Sequence, residues 1–272
     1  MQFHFAPWPE RTWLISRTWD FVYVPIPKVA CSSLKRWMLL LDGVCPANVP
    51  HVHRHMRIHY SAGAHYGPWA RRRVATRKLF RFTFVRNPWD RLVSAFLNKF
   101  PQRKPPAIPV IDAVHRSRRG TRCSRSAEQR NITFREFVAW LDSIDLARAE
   151  EHWRPQSHFL GCDTYDFVGR FERLADDFHQ LQQILQTDHP LPSFNATPRR
   201  GGITTAIADI PADQLNSAPA YRDFYDASLR DAVARLYRED IDRFGYTFDM
   251  QPPLQSSESG EDRHATSITN AS

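Results

Sequence analysis

The sequence predicts an α/β fold, in which a parallel β-sheet is flanked by helices and a phosphate-binding loop follows the first core strand. Three observations support this prediction. Residues 20–43 read as strand, loop and helix, and residues 79–100 repeat the order of a strand followed by a helix. The length of 272 residues is enough for one large α/β domain. We therefore expect a single domain over residues 1–250 and a disordered polar tail at residues 251–272.

The first strand and the first helix flank a short loop. Phe21–Ile26 is a run of apolar, β-branched and aromatic residues, as a buried parallel strand requires. The helix is predicted to begin at Ser32 or Ser33, because serine is a favourable N-cap, and to stop at Gly43. The apolar residues that recur at helical spacing are Leu34, Trp37, Met38 and Leu41. Residues 28–33 therefore lead into a helix N-terminus.

This loop has the composition of a phosphate site. A helix N-terminus presents unpaired N–H groups and the positive end of the helix dipole, so it binds anions. Small side chains let a phosphate approach the backbone, while Lys28 and Lys35 add positive charge. The predicted contacts are Pro27, Lys28, Val29, Ala30, Cys31, Ser32 and Ser33. The triphosphatase pattern G-x-x-x-x-G-K-[ST] is absent, and a capped helix with solvated lysines is the alternative.

A histidine-rich segment follows at residues 46–67. Its alternating apolar positions predict an extended segment with the histidines on one face. The histidines are His51, His53, His55, His59 and His65. A polar strand face, a metal site and a general base are the alternatives. His55 and His59 have the i, i+4 spacing of metal ligands, but no carboxylate lies between Asp42 and Asp90, so we expect no metal.

A second strand and helix carry another pair of anion-binding side chains. The strand Leu79–Val85 delivers Arg86 to the carboxyl edge of the sheet, where open α/β folds bind ligands. The helix Pro88–Phe100 begins with proline and carries Ser94, eight residues after Arg86. An arginine offers a planar fork to phosphate oxygens, and a serine adds a neutral donor. A surface salt bridge is the alternative for Arg86.

The remaining elements are predicted to be mainly structural. Pro101–Arg130 is basic and proline-rich, and we expect a loop insertion beside the ligand site, with a plain surface insertion or nucleic-acid binding as alternatives. Thr133–Leu146 opens with a capping box. Tyr165–Gly169 is a third strand, Glu172–Leu185 is a helix, and Tyr221–Phe244 is a pair of helices.

Four segments of the sequence resemble one family. They are PKVACSSLKR at 27–36, FVRNPWDRLVSAFLNKF at 84–100, YDFVGRFERL at 165–174 with HWRPQ before it, and LYREDIDRFGY at 236–246. In this order they resemble the Golgi-type carbohydrate sulfotransferases, which include the chondroitin, dermatan and HNK-1 enzymes. The resemblance runs from about Asp20 to Phe248. It implies the P-loop-like fold of that family.

The resemblance also implies an activity: transfer of a sulfuryl group from 3′-phosphoadenosine 5′-phosphosulfate (PAPS) to a carbohydrate hydroxyl. Lys28 and the loop would bind the 5′-phosphosulfate and offset charge on the bridging oxygen, with no metal required. Arg86 and Ser94 would bind the 3′-phosphate. A second basic loop that would close over the nucleotide consists of Arg199, Arg200 and Gly201.

Removal of the hydroxyl proton requires a base, and the resemblance implies a histidine ahead of the 3′-phosphate segment. His59 is the first choice, because it ends the predicted extended run. His65 is the second choice and lies 86 − 65 = 21 residues before Arg86. His55 is the third, and Glu172 is a carboxylate rival. The base is therefore left open at this point.

Other functions remain open from the sequence. The acceptor could be a protein tyrosine or a small molecule instead of a carbohydrate. A phosphotransferase would need the missing triphosphatase loop or a set of Mg²⁺ carboxylates. A non-catalytic protein that binds anions or nucleic acid would also retain Lys28 and Arg86. The net charge of +8 favours an anionic partner in every case.

Hydropathy and cysteine content bear on location. The chain has no run of about 18 apolar residues, and its first residues lack the pattern of a signal peptide. We therefore expect a soluble, cytoplasmic protein, unlike the membrane-anchored animal members of the family. The cysteines have no metal-ligand spacing and are expected to be free thiols: Cys31, Cys45, Cys123 and Cys162.

Overall fold

A computed structural model describes residues 12–62, 79–119, 131–161, 164–192, 207–215 and 220–250. These ranges contain one four-stranded sheet in the order β1-β2-β3-β4. The strands are β1 (Leu14–Ile15), β2 (Phe21–Val24), β3 (Phe80–Val85) and β4 (Phe167–Arg170). The α/β prediction is confirmed. The sheet is mixed, however, because β1 runs antiparallel to β2, whereas β2, β3 and β4 are mutually parallel.

Helices surround the sheet. They are α1 (Cys31–Leu41), α2 (Val52–His59), α3 (Pro88–Lys99), α4 (Ile108–Arg119), α5 (Phe134–Asp142), α6 (Ser157–Leu160), α7 (Leu174–Leu185), α8 (Ala227–Leu236) and α9 (Arg238–Phe244). Short 3-10 turns connect several of them. Among the described residues, no helix is long and apolar enough to cross a membrane.

The core is rich in aromatic side chains. Trp37 of α1 stacks on Phe21 of β2 with ring centroids 6.2 Å apart, and Phe178 of α7 meets Trp37 edge-on at 5.1 Å. A second cluster joins α3 to α5, where Phe96 and Phe137 stack at 5.7 Å. Such rings bury a large apolar area and fix the helices against the sheet and against each other. Helix α1 thus holds a fixed position relative to the sheet, and α3 holds one relative to α5.

The sheet register brings two loops to one edge. Val24, the last residue of β2, pairs with Thr83 of β3, and Val85 at the end of β3 pairs with Arg170 of β4. Because β2 and β3 are parallel, the loop after β2 and the residues after β3 emerge at the same carboxyl edge. The two predicted anion-binding segments are therefore adjacent.

Two predicted elements differ in the structure. The segment after residue 51 is the helix α2 and not an extended run, because Val52, Met56 and Tyr60 lie four residues apart and bury one helical face. The segment 101–130 is not only a loop. It contains α4, whose residues Val110 and Ile111 are buried. The part at 120–130 lies outside the described residues.

Other predicted elements are confirmed with small shifts. Thr133 caps α5, and its side chain forms the predicted capping box with Glu136. Glu172 lies in a 3-10 turn, Phe171–Arg173, which precedes α7. In the middle of β4, Gly169 is required by close packing, because a Cβ there would lie 2.3 Å from the ring of Phe84. Strand β4 can therefore sit tightly against β3 only without a side chain at this position.

Candidate active site

The loop between β2 and α1 has an unusual backbone. Lys28 and Ala30 both adopt left-handed conformations, with φ of 70° and 48°. Such conformations are strained for residues other than glycine and are concentrated at binding sites. Helix α1 begins at Cys31, and its N-cap Ala30 provides no side-chain cap. The predicted serine cap is therefore wrong, and the N–H groups of the first turn face the loop as an anion cradle would require.

Two arginines hold this loop through its carbonyl groups. Arg86 Nη1 donates to the carbonyl oxygen of Lys28 at 2.9 Å, and Arg91 Nε donates to that of Pro27 at 3.0 Å. Arg86 is buried and also pairs with Asp90 through Nε at 2.9 Å and Nη2 at 2.8 Å. These bonds turn the loop carbonyls towards α3. Carbonyl oxygens would repel an anion. Because the loop carbonyls point towards α3, the N–H donors of the loop can face a bound anion.

The environment of the Lys28 ammonium group favours the binding of an anion. Within the described residues it has no hydrogen-bond or ion-pair partner. Burial first, and the positive charge of Arg86 second, lower the pKa of Lys28 to about 8. A group with this environment gains from a bound phosphate or sulfate, which would supply the missing counter-charge.

One histidine of α2 contacts the loop, and it is one that the base prediction passed over. His53 Nε2 lies 2.8 Å from Ser32 Oγ, and His53 Nδ1 lies 3.0 Å from Lys35 Nζ. Although His53 is exposed, desolvation beside α1 and, second, the charge of Lys35 together lower its pKa to about 4. The imidazole is therefore neutral near pH 7.

The structure does not bring His55 and His59 to that contact. Their rings lie against each other with centroids 4.4 Å apart. In a helix, two residues advance by about 200°, so His55 points to the opposite side of α2 from His53. The backbone carbonyl of His59 accepts a bond from Arg17 on that same side. His65 lies outside the described residues, as do Arg199, Arg200 and Gly201.

The segment after β3 is built as the sequence indicates. Asn87 caps α3 by accepting a bond from the N–H of Trp89 at 3.1 Å, and Ser94 is half-buried two turns further along the helix. The amide of Gln156 bonds both the N–H of Arg86, at 2.9 Å, and its carbonyl oxygen, at 2.7 Å. The side chain of Gln156 therefore supports the position of Arg86. Contact of Arg86 and Ser94 with a 3′-phosphate stays a prediction.

Glu172 is occupied by structural contacts. Its Oε1 accepts a bond from the N–H of Asn87 at 2.6 Å, and its Oε2 accepts one from the hydroxyl of Tyr246 at 3.1 Å. Burial raises the pKa of Glu172, and these hydrogen bonds act against that shift. Both oxygens thus connect the start of α3 to the C-terminal part of the domain. Glu172 therefore has a structural role, which does not favour it as the base for an acceptor hydroxyl.

A histidine–carboxylate pair lies next to the loop, and the sequence did not single it out as a pair. His152 Nδ1 lies 2.7 Å from Glu150 Oε1, and the N–H of His152 donates to Glu150 Oε2 at 2.8 Å. Arg91 fixes this segment as well, because its Nη1 and Nη2 donate to the carbonyls of Arg154, at 2.9 Å, and Glu151, at 3.2 Å. The sequence signal for this pair is the spacing E-x-H immediately before Trp153.

Comparison with known proteins agrees with this geometry. The sequence profile described as "Sulfotransferase family" matches residues 11–247. Carbohydrate sulfotransferase 14 of Homo sapiens is 36% identical over 236 residues, which cover 86% of this chain and 59% of that protein. Carbohydrate sulfotransferase 14 of Mus musculus is 33% identical over 174 residues, with 62% and 45% covered.

A third relative is carbohydrate sulfotransferase 8 of Homo sapiens, at 30% identity over 219 residues, with 75% of this chain and 51% of that protein covered. The chain thus spans about half the length of the curated relatives that it matches, between 45% and 59% for these three. No solved structure gives a significant match.

Proposed function

Because the chain belongs to the sulfotransferase family, we propose that it transfers a sulfuryl group from PAPS to a hydroxyl of a carbohydrate. The observation that carries the proposal is the strained loop at the N-terminus of α1, with the unpartnered ammonium of Lys28 in it. The carbohydrate acceptor is inferred from the names of the relatives. The single-domain boundary and the cytoplasmic location stay predictions.

The described residues fit the 5′ end of the donor. A phosphosulfate carries negative charge on oxygens that need several donors at once. The N–H groups at the start of α1, the hydroxyl of Ser32 and the ammonium of Lys28 supply these donors on one side of the loop. When PAPS is bound it supplies an activated sulfuryl group whose leaving group is a phosphate.

Lys28 has a further role in the transfer step. As the bond between sulfur and the bridging oxygen breaks, negative charge grows on that oxygen. A preorganised ammonium near this position stabilises the charge without reorganising solvent. Lys28 is held in a fixed backbone conformation by the bond from Arg86 to its carbonyl, so its side chain starts from a defined position. We expect its loss to lower kcat as well as donor affinity.

The 3′ end of the donor is assigned to the segment after β3. Ser94 on α3 and any Arg86 N–H groups left after its bonds to Asp90 and Lys28 would bind the 3′-phosphate. Binding at both ends would set the sulfur in line for attack. The fixed geometry of this segment, with Asn87 as the cap of α3, supports the assignment.

Isothermal titration with 3′-phosphoadenosine 5′-phosphate (PAP) tests the proposal. We expect micromolar binding by the full chain, and strong loss of binding in Lys28→Ala and Arg86→Ala. Arg238→Ala is the matched control, because the side chain of Arg238 is 83% exposed and pairs with Asp242 on α9. Failure of the folded wild type to bind PAP would reject a PAPS-dependent activity.

A second experiment identifies the class of acceptor. Transfer from PAPS to unsulfated chondroitin, desulfated dermatan, a tyrosine peptide and a phenol distinguishes a carbohydrate acceptor from the others.

A further inference from the structure

We propose that His152, oriented by Glu150, is the catalytic base that removes the proton from the acceptor hydroxyl. This inference rests on the proposed function and names a residue that carries out one of its steps. The histidines expected from the sequence are on α2 or outside the described residues. The geometry instead points to a pair on the segment between α5 and α6.

The pair has the arrangement of a working base. A carboxylate that accepts the Nδ1 proton of an imidazole fixes the tautomer and leaves the Nε2 lone pair to accept a proton. Glu150 Oε1 lies 2.7 Å from His152 Nδ1, and Glu150 Oε2 lies 3.0 Å from it. No partner approaches His152 Nε2 within the part of the chain that the structure describes. His152 is partly exposed, so a substrate can reach it.

Glu150 is held in the ionised form. Burial raises its pKa, but the hydrogen bonds from the ring and the backbone N–H of His152 outweigh that effect, and the pKa of Glu150 lies below its usual value. The charge of Lys99 acts in the same direction. An ionised Glu150 stabilises the imidazolium that forms when His152 accepts a proton.

Arg91 places the pair beside the phosphate loop. Its three guanidinium nitrogens donate to the carbonyls of Pro27, Glu151 and Arg154, at 3.0, 3.2 and 2.9 Å. One guanidinium is only about 2.3 Å wide between its nitrogens, so the three carbonyls converge on one planar group. His152 lies between two of these positions in the chain. Its segment is therefore joined directly to the residue that precedes Lys28.

The other candidates lack this combination. Both ring nitrogens of His53 are engaged, one by Ser32 and one by Lys35. A base works best when its pKa is near the working pH, and the pKa of about 4 makes His53 a weak base at neutral pH. Glu172 has both oxygens bonded. His55 lies on the other side of α2 from the loop contact.

The proposed step balances as follows. The oxygen of the acceptor hydroxyl forms a bond to sulfur, and the bond between sulfur and the bridging oxygen of the 5′-phosphate breaks. PAP leaves with that bridging oxygen, while Lys28 offsets its charge. The hydroxyl proton moves to Nε2 of His152, and solvent later removes it. No electrons are exchanged with any other group, so the step needs no further reactant.

The test separates donor binding from turnover. His152→Ala and His152→Gln are expected to lower kcat for transfer from PAPS to unsulfated chondroitin or desulfated dermatan by about 100- to 10,000-fold. Their dissociation constants for PAP, measured by titration, are expected to stay within about threefold of wild type, because the base faces the acceptor. Glu150→Gln is expected to lower kcat less than His152→Ala, because the imidazole remains.

Chemical rescue and a matched control exclude a structural role. Added imidazole is expected to raise the rate of His152→Gly at least about tenfold, as a free base can replace the missing ring. His158→Ala is the control, since His158 also pairs with a carboxylate, 3.3 Å from Glu239, but on α6. Wild-type turnover in His152→Ala, or a loss explained by weaker PAP binding, would overturn the assignment.

Three further outcomes are decisive. Ligand atoms of Glu150, Glu151 and His152 come within 4.8 Å of one another, a spacing that a divalent cation could also use. Activity that is abolished by a chelator and restored by a divalent cation would overturn the role of His152 as a base. If the wild type fails to bind PAP, the proposed function itself fails. If the wild type binds PAP and sulfates one of these acceptors while His152→Ala turns over as fast, the base assignment fails alone.

Discussion

Arg86 Nη1 donates a hydrogen bond to the carbonyl oxygen of Lys28 at 2.9 Å, so a side chain after β3 sets the backbone of the loop after β2. The same guanidinium pairs with Asp90 in a buried position. Local stability therefore depends on this residue, and under the proposed function donor binding does too. Substitution of Arg86 is expected to change both, and separate measurements can distinguish the two effects.

The Arg86–Asp90 pair gives a stability prediction. Arg86→Met should lower the free energy of unfolding by about 3 to 5 kcal/mol, because it leaves the carboxylate of Asp90 buried without its cation. The double substitution Arg86→Met with Asp90→Leu should cost less than Arg86→Met alone. Urea-induced unfolding measures both, and the exposed Arg148→Met serves as the control. An Arg86→Met protein as stable as wild type would contradict the buried pairing.

The left-handed backbone at Ala30 gives a second prediction. Ala30→Val should lower the free energy of unfolding by about 2 to 3 kcal/mol, since a β-branched residue strongly disfavours a φ of 48°. Ala30→Gly should stay within about 1 kcal/mol of wild type, because relief of strain and added unfolded-state entropy oppose each other. Thermal unfolding of the three proteins checks this order. Equal stability of the valine and glycine variants would argue against the left-handed conformation.

The pKa of Lys28 predicts how donor binding depends on pH. The free protein holds this lysine charged below a pKa of about 8, and a bound phosphate would raise that pKa. Affinity for PAP should therefore be constant below pH 7 and fall up to about tenfold per unit above pH 8, with proton uptake on binding. Titrations at pH 7, 8 and 9 measure the affinity for PAP, and repeating them in buffers of different ionisation enthalpy measures the proton uptake. Lys28→Arg should remove this dependence, because arginine stays charged throughout the range.

The contacts of His53 predict a phenotype unlike that of His152. His53→Ala removes one hydrogen bond each from Ser32 and Lys35, so it should weaken PAP binding by about 5- to 10-fold. Its kcat at saturating donor should fall by less than about tenfold. His55→Ala, on the opposite side of α2, should change neither quantity. A kcat loss in His53→Ala as large as that in His152→Ala would transfer the role of the base to His53.

The strand, loop and helix around Lys28 could be predicted because local sequence determines them. Apolar runs define β2 and β3, and helical spacing defines α1 and α3. The position of the N-cap could not be predicted, because the loop that leads to Ala30 is held by Arg86 and Arg91, which donate to the carbonyls of Lys28 and Pro27. Contacts that distant in sequence leave no mark in the local pattern.

The base was harder to predict for a related reason. The apolar positions after residue 51 also fit a two-residue period, whereas the buried positions Val52 and Met56 follow a four-residue period. A two-residue period places all the histidines of this segment on one face and hides the separation of His53 from His55. The proximity of His152 to the loop depends on Arg91, which reaches across the fold. The chain separation of about 120 residues gives no sequence signal of that contact.

The three bonds of Arg91 also have a dynamic consequence. The single guanidinium of Arg91 links the loop residue Pro27 to the segment at 151–154, so neither can move away without breaking a bond to Arg91. The backbone amides of the two regions should therefore exchange with deuterium as one cooperative unit, although they belong to distant parts of the chain. Such coupling would let a nucleotide bound at the loop slow exchange of the amides at 151–154.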